Sequence, residues 1–293
     1  MTAFDRIVII FNPNSTGSAP EMAQELHDEL TDRLPHMEVV LSPTEHAGHG
    51  RDLARAAAST GTPLIVSVSG DGGYNEVVDG AMKAGNRDVV CAVLAAGNAN
   101  DHRRTTRESP LADAIVEGQV HRMDLLALTI GEGPEAQLRY AYSYNGVGLT
   151  PVVAVDLEKG SKGSLREIVT VVRTFARFRP FAIRLEDGTR STFDSLLFAN
   201  IAQMAKVATL SEDGNPEDGR FEVITVKHTA KWRVLGVALK AATRGLGPQP
   251  TATHYAFTTL KPTPVQLDGE VLELDPQTKV SVDIAPGALA TIT

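Results

Sequence analysis

The sequence predicts two domains, an α/β domain followed by a β-rich domain. The chain has 293 residues, which suits two domains of roughly 100–200 residues each. Short β-branched runs alternate with helix-like segments up to about Asp124, and strand-like runs dominate after it. Such alternation implies a mainly parallel sheet that is covered by helices on both faces. We expect the α/β domain over residues 1–126 and the β-rich domain over residues 127–279, with residues 280–293 returning to the first domain.

The first half contains four predicted strands separated by helices or turns. Apolar residues at Met22, Ala23, Leu26 and Leu30 have helical spacing, and Pro20 suits the first turn of that helix. The predicted strands are Arg6–Phe11, Met37–Leu41, Leu64–Ser69 and Val89–Ala95, and the predicted helices are Pro20–Leu34, Gly50–Ser59 and a segment that ends at about Ala84.

The second half reads mainly as strands, several of them joined by hairpin turns such as Glu186–Gly188. The predicted strands are Leu125–Ile130, Arg139–Tyr144, Phe181–Leu185, Thr192–Ile201 and Phe221–Val226, followed near the end of the chain by Val280–Ile284 and Leu289–Ile292. Two helical patterns interrupt them, at Leu165–Phe178 and Ala230–Ala242.

Composition excludes several classes of protein. Hydrophobic residues make up 42% and charged residues 22%, which is an ordinary globular balance. A net charge of −8 argues against general nucleic-acid binding. Cys91 is the only cysteine, so the sequence predicts neither an intrachain disulfide nor a cysteine-rich zinc site, and favours the cytoplasm. The apolar runs are too short for a transmembrane helix or a signal peptide.

The strongest local signal for chemistry is the glycine-rich segment Ser69–Val77, which follows a buried strand and opens a helix. Glycines let backbone N–H groups approach an anion closely, and a helix N-terminus adds partial positive charge. Asp71 within the turn suits a neighbouring magnesium ion or hydroxyl nucleophile. The alternative is a tight turn with Asp71 as a helix cap. The segment matches neither the Walker A spacing nor the dinucleotide G-x-G-x-x-G spacing.

Two further polar loops are expected at the same edge of the sheet. Residues 12–17 follow the first predicted strand, and residues 95–101 follow the fourth. Ligands of open α/β sheets bind beyond the carboxyl ends of the strands. Three glycine-bearing loops that converge there predict a phosphate-binding site. In contrast, the late segment Val265–Leu272 contains Asp268-Gly269, which taken alone predicts a two-residue hairpin.

The motifs together resemble the diacylglycerol kinase catalytic family, which also covers sphingosine kinases and bacterial lipid kinases. SGDGGYNEVVDG is similar to its GGDGT-x-NEV signature, and NPNSTG to its N-P-x-S/T-G loop. TEHAGHG resembles its T-x-x-x-G-H segment, and AAGNANDHRR its P-x-G-T-x-N-D-F-A-R loop. Asn145–Gly148 resembles the N/S-G-x-G that opens the second domain, and Leu267–Glu270 the late D-G-E. The six segments occur in family order between residues 12 and 270.

The resemblance implies a Rossmann-like α/β nucleotide-binding domain and a β-sandwich-like domain, as in NAD kinases and diacylglycerol kinases. It implies transfer of the γ-phosphate of ATP to a lipid hydroxyl, with Mg²⁺ bound. Asp268 and Glu270 become candidates for the base, Asp71 would hold metal or phosphoryl group, and Asp124 and Asp213 would contribute to the metal site. The residues implied around the nucleotide are Asn12, Pro13, Asn14, Ser15, Thr16, Thr44, Ser69, Gly70, Asp71, Gly72, Gly73, Asn75, Glu76, Gly97 and Asn98.

The chain departs from the family pattern within these motifs. Ser69 replaces the first glycine of GGDGT and Gly73 replaces its threonine, so we expect a hydroxyl near the phosphates to be lost. The loop after the fourth predicted strand has Ala96 for proline, Asn98 for threonine and His102 for phenylalanine. Two alternatives stay open: a NAD kinase, and a weakly active or non-catalytic nucleotide- or lipid-binding protein. A NAD kinase is disfavoured because the Asn-Glu pair follows the glycine turn immediately.

Contact with a membrane surface is suggested by the distribution of charge. Residues 1–126 hold 18 acids and 10 bases, whereas residues 127–293 hold 18 of each. Residues 223–267 contain no acid, and the helical pattern at 231–244 carries Trp232 and several bases. A basic amphipathic helix with a tryptophan suits anionic lipid. The alternative is that this helix and Leu165–Phe178 pack on the sheet as ordinary amphipathic helices.

Overall fold

The computed structural model describes most of the chain as two compact units. The described residues are 4–15, 18–97, 100–106, 109–148, 180–204, 208–228, 243–268 and 270–292, with Arg233, Gly236, Val237, Lys240 and Ala241. Contacts group Met1–Leu125 with Ala285–Thr293 as the first unit and Leu126–Ile284 as the second. Among the described residues, no helix combines the length and apolarity needed to span a bilayer.

The first unit is built on a parallel sheet. Its helices are α1 (Ala19–Arg33), α2 (His49–Ala58), α3 (Asp71–Lys83), α4 (Asp101–Thr106) and α5 (Leu111–Glu117). Its strands are β1 (Arg6–Phe11), β2 (Glu38–Pro43), β3 (Pro63–Ser69) and β4 (Val90–Ala95). The strands lie in the order β2-β1-β3-β4, and all three pairings are parallel. Near the end of the chain, Ala290 and Thr291 pair in parallel with β4. The carboxyl ends of β1, β2 and β3 therefore meet at one edge.

Burial explains why this sheet forms. The strands β1, β3 and β4 present near-continuous buried apolar runs, as parallel strands covered on both faces do, whereas β2, at the end of the strand order, is exposed or half-buried along its length. In α1, the buried residues Ala23, Leu26 and Leu30 recur at helical spacing and belong to the same apolar core as Ile7 and Leu64. The helix begins with proline in its first turn, as predicted.

A close contact joins α2 to α3. The Asp79 carboxylate is fully buried, and it accepts from Arg51 Nε at 2.7 Å and from Lys83 Nζ at 2.8 Å. A Cβ atom placed on Gly80 would lie only 2.1 Å from the carbonyl oxygen of Arg51. The two helix backbones touch here, and the ion pairs neutralise the carboxylate that this approach buries.

The second unit is mainly antiparallel. Its strands are β5 (Val120–Ile130), β6 (Gln137–Ala141), β7 (Tyr144–Gly148), β8 (Phe181–Leu185), β9 (Arg190–Ala199), β10 (Gln203–Met204), β11 (Ala208–Thr209), β12 (Phe221–Lys227), β13 (Thr251–Ala252), β14 (His254–Thr259), β15 (Thr263–Leu267), β16 (Glu270–Leu274) and β17 (Lys279–Ile292), where β5 and β17 each contain a unit boundary. The order β16-β15-β7-β9-β8-β14-β17 runs through antiparallel pairings. Aromatic side chains such as Phe193, Phe198 and Phe257 fill its core.

Three predictions for the second half differ from the structure or lie outside it. The predicted strand Arg139–Tyr144 is wrong, because β6 ends at Ala141 and β7 begins at Tyr144. The two predicted terminal strands are one strand, β17. The predicted helix at 165–178 lies outside the described residues. In the second predicted helix, the five described residues between 233 and 241 are helical.

One pH dependence follows from the second unit. Nδ1 of His254 lies 2.6 Å from Asp283 Oδ1, and this hydrogen bond raises the pKa of His254 above its usual value. The interaction therefore stabilises the unit fully below the unfolded pKa of about 6.5 and is lost as pH rises through the folded pKa. We expect the fall in thermal midpoint between roughly pH 5.5 and 8.5 to be smaller in His254→Gln than in the unaltered protein.

The matched control for this measurement is His36→Gln, which alters an exposed histidine. It should keep the full pH dependence. An equal fall in midpoint for His254→Gln and the unaltered protein would show that the histidine–aspartate bond contributes nothing measurable.

Candidate functional site

A cavity of about 350 Å³ lies at the carboxyl-end edge of the first unit's sheet. Its wall contains residues from the ends of β1 and β3 and from the loop after β2, together with residues of α2 and α3. The structure thereby brings together six of the residues implied by the resemblance: Asn12, Asn14, Thr44, Ser69, Gly73 and Glu76. Residues separated by more than sixty positions in the sequence thus share one cavity.

The loops after β1 and β2 are fixed to each other by backbone bonds. The N–H of Thr44 donates to the carbonyl of Phe11 at 2.8 Å. Asn12 shapes its own loop, because its Oδ1 accepts the N–H of Asn14 at 2.9 Å. Pro13 is exposed beside them. Thr16, which the resemblance also placed here, lies outside the described residues.

The glycine turn after β3 leads directly into α3. Gly70 precedes the helix, and its carbonyl accepts the N–H of Tyr74 at 3.1 Å. The turn is pressed against the loop after β4, since a Cβ on Gly97 would lie 2.4 Å from the Cα of Gly70. Only glycine permits two backbones to approach so closely. The N-terminal N–H groups of α3, including those of Gly72 and Gly73, lie at the strand ends, which favours anions.

Asp71 binds the backbone of the loop after β4. Its Oδ2 accepts the N–H of Asn100 at 2.8 Å and its Oδ1 accepts the N–H of Asp101 at 2.6 Å. The carboxylate therefore caps the first turn of α4. Asn98, in the same loop, lies outside the described residues.

Glu76 has a similar role toward α2. Its Oε1 accepts the N–H of Gly48, the residue that caps α2, at 3.2 Å. Asn75, the next residue toward the N-terminus, is fully buried, and neither polar atom of its side chain has a hydrogen-bond partner within the described part of the chain. A buried amide left unpaired costs about 1–3 kcal/mol. Stability alone therefore does not explain an asparagine at this position.

The structure explains one departure from the family pattern. His102, which stands where the pattern has phenylalanine, is buried in the first unit. Its Nε2 lies 3.1 Å from the Tyr74 hydroxyl and 3.0 Å from the Thr291 hydroxyl. The imidazole thus links α3, α4 and the end of β17. Sequence analysis missed this role, because the three residues are far apart and the only signal was an unusual histidine.

In the second unit, the D-G-E segment forms a β-hairpin, as its local pattern predicts. β15 and β16 are antiparallel, and Leu267 pairs with Glu270. Asp268 at the turn has φ 41° and is 1% exposed. Its carboxylate accepts the N–H groups of Tyr142 at 2.7 Å, of Ser143 at 3.2 Å and of Tyr144 at 2.9 Å.

This turn organises the strand that carries the Asn145–Gly148 motif. β15 pairs with β7, so that Leu267 lies opposite Asn145. Asp268 accepts hydrogen bonds from the N–H groups of residues 142–144. The chain therefore bends there, and β6 does not continue into β7. Glu270 is more accessible, with 32% of its side chain exposed, and it forms an ion pair with Arg139. Two motifs that are 120 residues apart therefore form one structure.

The residues implied as metal ligands are placed differently. Asp124 is buried in the first unit, and its Oδ1 accepts the N–H of Gly287 at 2.7 Å. Asp213 belongs to the second unit, where its negative charge acts on Glu222. The pKa of Glu222 is raised mainly by burial, and the negative charges of Asp218 and Asp213 raise it further. Within the described residues, no three Asp, Glu, His or Cys side chains group as a metal site. These side chains do not by themselves fit a protein-held Mg²⁺, and their assignment stays a prediction.

Comparison with known proteins gives consistent matches. Residues 6–128 match the model of the diacylglycerol kinase catalytic domain. The diacylglycerol kinase of Staphylococcus saprophyticus is 24% identical over 262 residues, which cover 85% of this chain and 82% of that protein. The diacylglycerol kinase of Bacillus subtilis is 27% identical over 227 residues, covering 65% and 74%. Rat sphingosine kinase 1 is 28% identical over 202 residues, covering 62% and 50%.

Solved structures match the whole chain. A putative diacylglycerol kinase from Bacillus anthracis superimposes with a TM-score of 0.73 at 19% identity, covering 100% of this chain and 98% of that one. Yeast NADH kinase in complex with NADH gives 0.56 at 13% identity, covering 99% and 84%. These likenesses confirm the predicted fold class, a mixed α/β fold shared by diacylglycerol kinases and NAD kinases.

Proposed function

From the premise that the chain belongs to the diacylglycerol kinase catalytic domain family and is a kinase with an alcohol acceptor, we propose that it phosphorylates a lipid. The donor would be the γ-phosphate of ATP, and the acceptor would be the hydroxyl of diacylglycerol or of a related lipid. The sequence relatives are diacylglycerol kinases and a sphingosine kinase, which supports a lipid acceptor.

The observation that carries the proposal is the convergence of Asn12, Thr44, Ser69 and Glu76 on one cavity beside the N-terminus of α3. Phosphates bind helix N-termini because unpaired N–H groups and the helix dipole both favour anions. The polar side chains of the strand-end loops would then position the nucleotide. We propose that Asp71 and Glu76 act by holding neighbouring loops in place, since each accepts backbone N–H groups from one.

Mg²⁺ enters this proposal as part of the substrate MgATP. Magnesium in kinase sites keeps several waters and is bound largely by substrate phosphates. The described carboxylates would therefore not need to form a complete metal cage.

The proposed transfer forms a bond between the lipid hydroxyl oxygen and the γ-phosphorus. It breaks the bond between that phosphorus and the bridging oxygen, ADP leaves with the electron pair, and the hydroxyl proton passes to a carboxylate. Catalysis of this kind consists mainly of positioning and charge neutralisation. We propose that the carboxylate comes from the Asp268–Glu270 turn. Glu270 is the more exposed of the two and better placed to meet a substrate, while Asp268 fixes the loop before Asn145.

The lipid would approach a basic part of the second unit. Residues 223–267 contain no acid, and five of their bases are described and exposed: Lys227, Arg233, Lys240, Arg244 and Lys261. Basic residues attract anionic lipid surfaces by roughly 1 kcal/mol each near the surface. Lys231 and Trp232, which the sequence placed on the same helix, lie outside the described residues.

The direct test is incubation of the protein with radiolabelled ATP, Mg²⁺ and a panel of acceptors that includes diacylglycerol, monoacylglycerol, sphingosine and NAD. We expect label in a phospholipid product. Label in NADP would instead establish a NAD kinase. Nucleotide binding without transfer to any acceptor would establish a non-catalytic member of the family.

The roles of Asp268 and Glu270 are distinguished by substituting each residue in turn. We expect Glu270→Gln to lower kcat by about 100-fold, the typical contribution of a general base, and to lower the thermal midpoint only slightly, because the glutamine oxygen can still accept a hydrogen bond from the buried Arg139. We expect Asp268→Asn to lower both, because an amide nitrogen would face the N–H groups that the carboxylate now accepts.

Glu273→Gln, which removes another carboxylate from β16, is the matched control and should leave kcat and the midpoint unchanged. Loss of transfer in Asp268→Asn at an unchanged midpoint would make Asp268 the base. Full transfer in both variants would remove the turn from the mechanism.

A further inference from the structure

Ser69 and Gly73 compete for the same space in the wall of the cavity. Ser69 ends β3 and Gly73 lies in the first turn of α3, and both line the cavity. A Cβ on Gly73 would lie 2.7 Å from the Cβ of Ser69 and 2.8 Å from its Oγ. A hydroxyl can rotate away, but a Cβ is fixed by the backbone. Any side chain at 73 therefore requires Ser69 or the start of α3 to shift.

The Ser69 hydroxyl belongs to a short chain of hydrogen bonds. Its Oγ lies 2.6 Å from the Oγ of Ser67, which is 2% exposed, and it donates to the carbonyl of Gly70 at 3.0 Å. A hydroxyl has one proton to donate. When Ser69 donates to Gly70, the proton between the two serines must therefore come from Ser67. In that arrangement, donation from the buried Ser67 makes the Ser69 hydroxyl a stronger donor.

Ser69 can turn its hydroxyl proton away from Gly70 without leaving the Gly70 carbonyl unpaired. The carbonyl of Gly70 already accepts the N–H of Tyr74 at 3.1 Å, so it stays paired when Ser69 rotates. An anion in the cavity would be a stronger acceptor, because hydrogen bonds to ionised groups are roughly twice as strong as neutral ones. Half-buried Ser69 is therefore a donor held ready at the start of α3.

We infer that Ser69 is the residue whose hydroxyl binds a phosphate of the nucleotide, and that Gly73 is glycine because Ser69 occupies the space of its side chain. The inference rests on the proposed function for its ligand. It revises the expectation that the glycine-rich segment has lost a hydroxyl. Relative to the GGDGT pattern, Ser69 replaces a glycine and Gly73 replaces a threonine. The two changes compensate for each other, because together they move the hydroxyl from the helix to the end of the strand.

The exchange can be reversed in a four-protein series of unaltered protein, Ser69→Gly, Gly73→Thr and the double variant. Binding of a nonhydrolysable MgATP analogue is measured by calorimetry, and inhibition by adenosine is measured beside it. We expect Ser69→Gly to weaken binding of the analogue about tenfold, as loss of one hydrogen bond to a charged group does. Inhibition by adenosine, which carries no phosphate, should not change.

Gly73→Thr alone should weaken binding more than Ser69→Gly does, since the threonine collides with Ser69. The double variant should bind better than Gly73→Thr, because the glycine at 69 opens the space. Ser59→Gly, the same substitution at an exposed serine after α2, is the matched control and should bind as the unaltered protein does.

The outcomes distinguish a failure of the proposed function from a failure of the inference about Ser69. If the unaltered protein does not bind the analogue, the proposed function fails. If it binds but Ser69→Gly binds equally well, or the double variant is no better than Gly73→Thr, the inference about Ser69 is wrong while the proposed function stands. Equal weakening of the analogue and of adenosine by Ser69→Gly would also overturn it, because a phosphate contact must distinguish them.

Discussion

Asp71→Asn is expected to lower kcat/KM for phosphate transfer by about 100-fold, the loss that follows misplacement of a reactive group by about 1 Å. Both carboxylate oxygens accept backbone N–H groups, from Asn100 at 2.8 Å and from Asp101 at 2.6 Å. An amide keeps only one acceptor oxygen and turns N–H bonds toward the other backbone donor. The loop after β4 must then move away from the glycine turn that it touches at Gly97.

Titration with Mg²⁺ separates this role from the metal-binding role that the family resemblance implies for Asp71. A residue that fastens a loop should cause the same fold-loss at every Mg²⁺ concentration. If Asp71 instead binds the ion directly, raising Mg²⁺ should restore much of the activity, and the fastening role would be rejected. Asp52→Asn, an exposed carboxylate in the first turn of α2, is the control and should retain full activity.

Local sequence patterns were sufficient for most of the first unit. The predicted strand Arg6–Phe11 coincides with β1, and the predicted helix Pro20–Leu34 differs by one residue at each end from α1. Periodic burial and turn chemistry act over a few residues, and they are visible in the sequence. The helices α4 and α5 were missed because six and seven residues are too few to show a helical period.

Long-range contacts account for what the sequence did not reveal. The break between β6 and β7 depends on Asp268, which lies 126 residues beyond Tyr142. The candidate site residues were selected through family motifs, and their proximity follows from the parallel sheet. Their individual contacts, such as those of Asp71 with the loop after β4, were not predictable. A carboxylate in a glycine turn can equally cap a helix, bind a metal ion or accept hydrogen bonds from a neighbouring loop.

Gly80→Ala tests the closest of the long-range contacts and has the largest expected effect on stability. In a helix, alanine is normally favoured over glycine by about 1 kcal/mol. At this position the added Cβ would lie 2.1 Å from the carbonyl oxygen of Arg51, so α2 and α3 must separate. Separation would also weaken the bonds from Arg51 and Lys83 to the buried Asp79.

We expect Gly80→Ala to lower the free energy of unfolding by about 3 kcal/mol, the upper part of the range for overpacking. Urea unfolding followed by circular dichroism measures the change. Gly236→Ala is the matched control, because Gly236 is helical and exposed with no atom within 4 Å of the added Cβ. The control should be neutral or stabilising, as helix propensity predicts. The sign of the change therefore decides the matter: stabilisation by Gly80→Ala would mean that the two helices do not touch at this glycine.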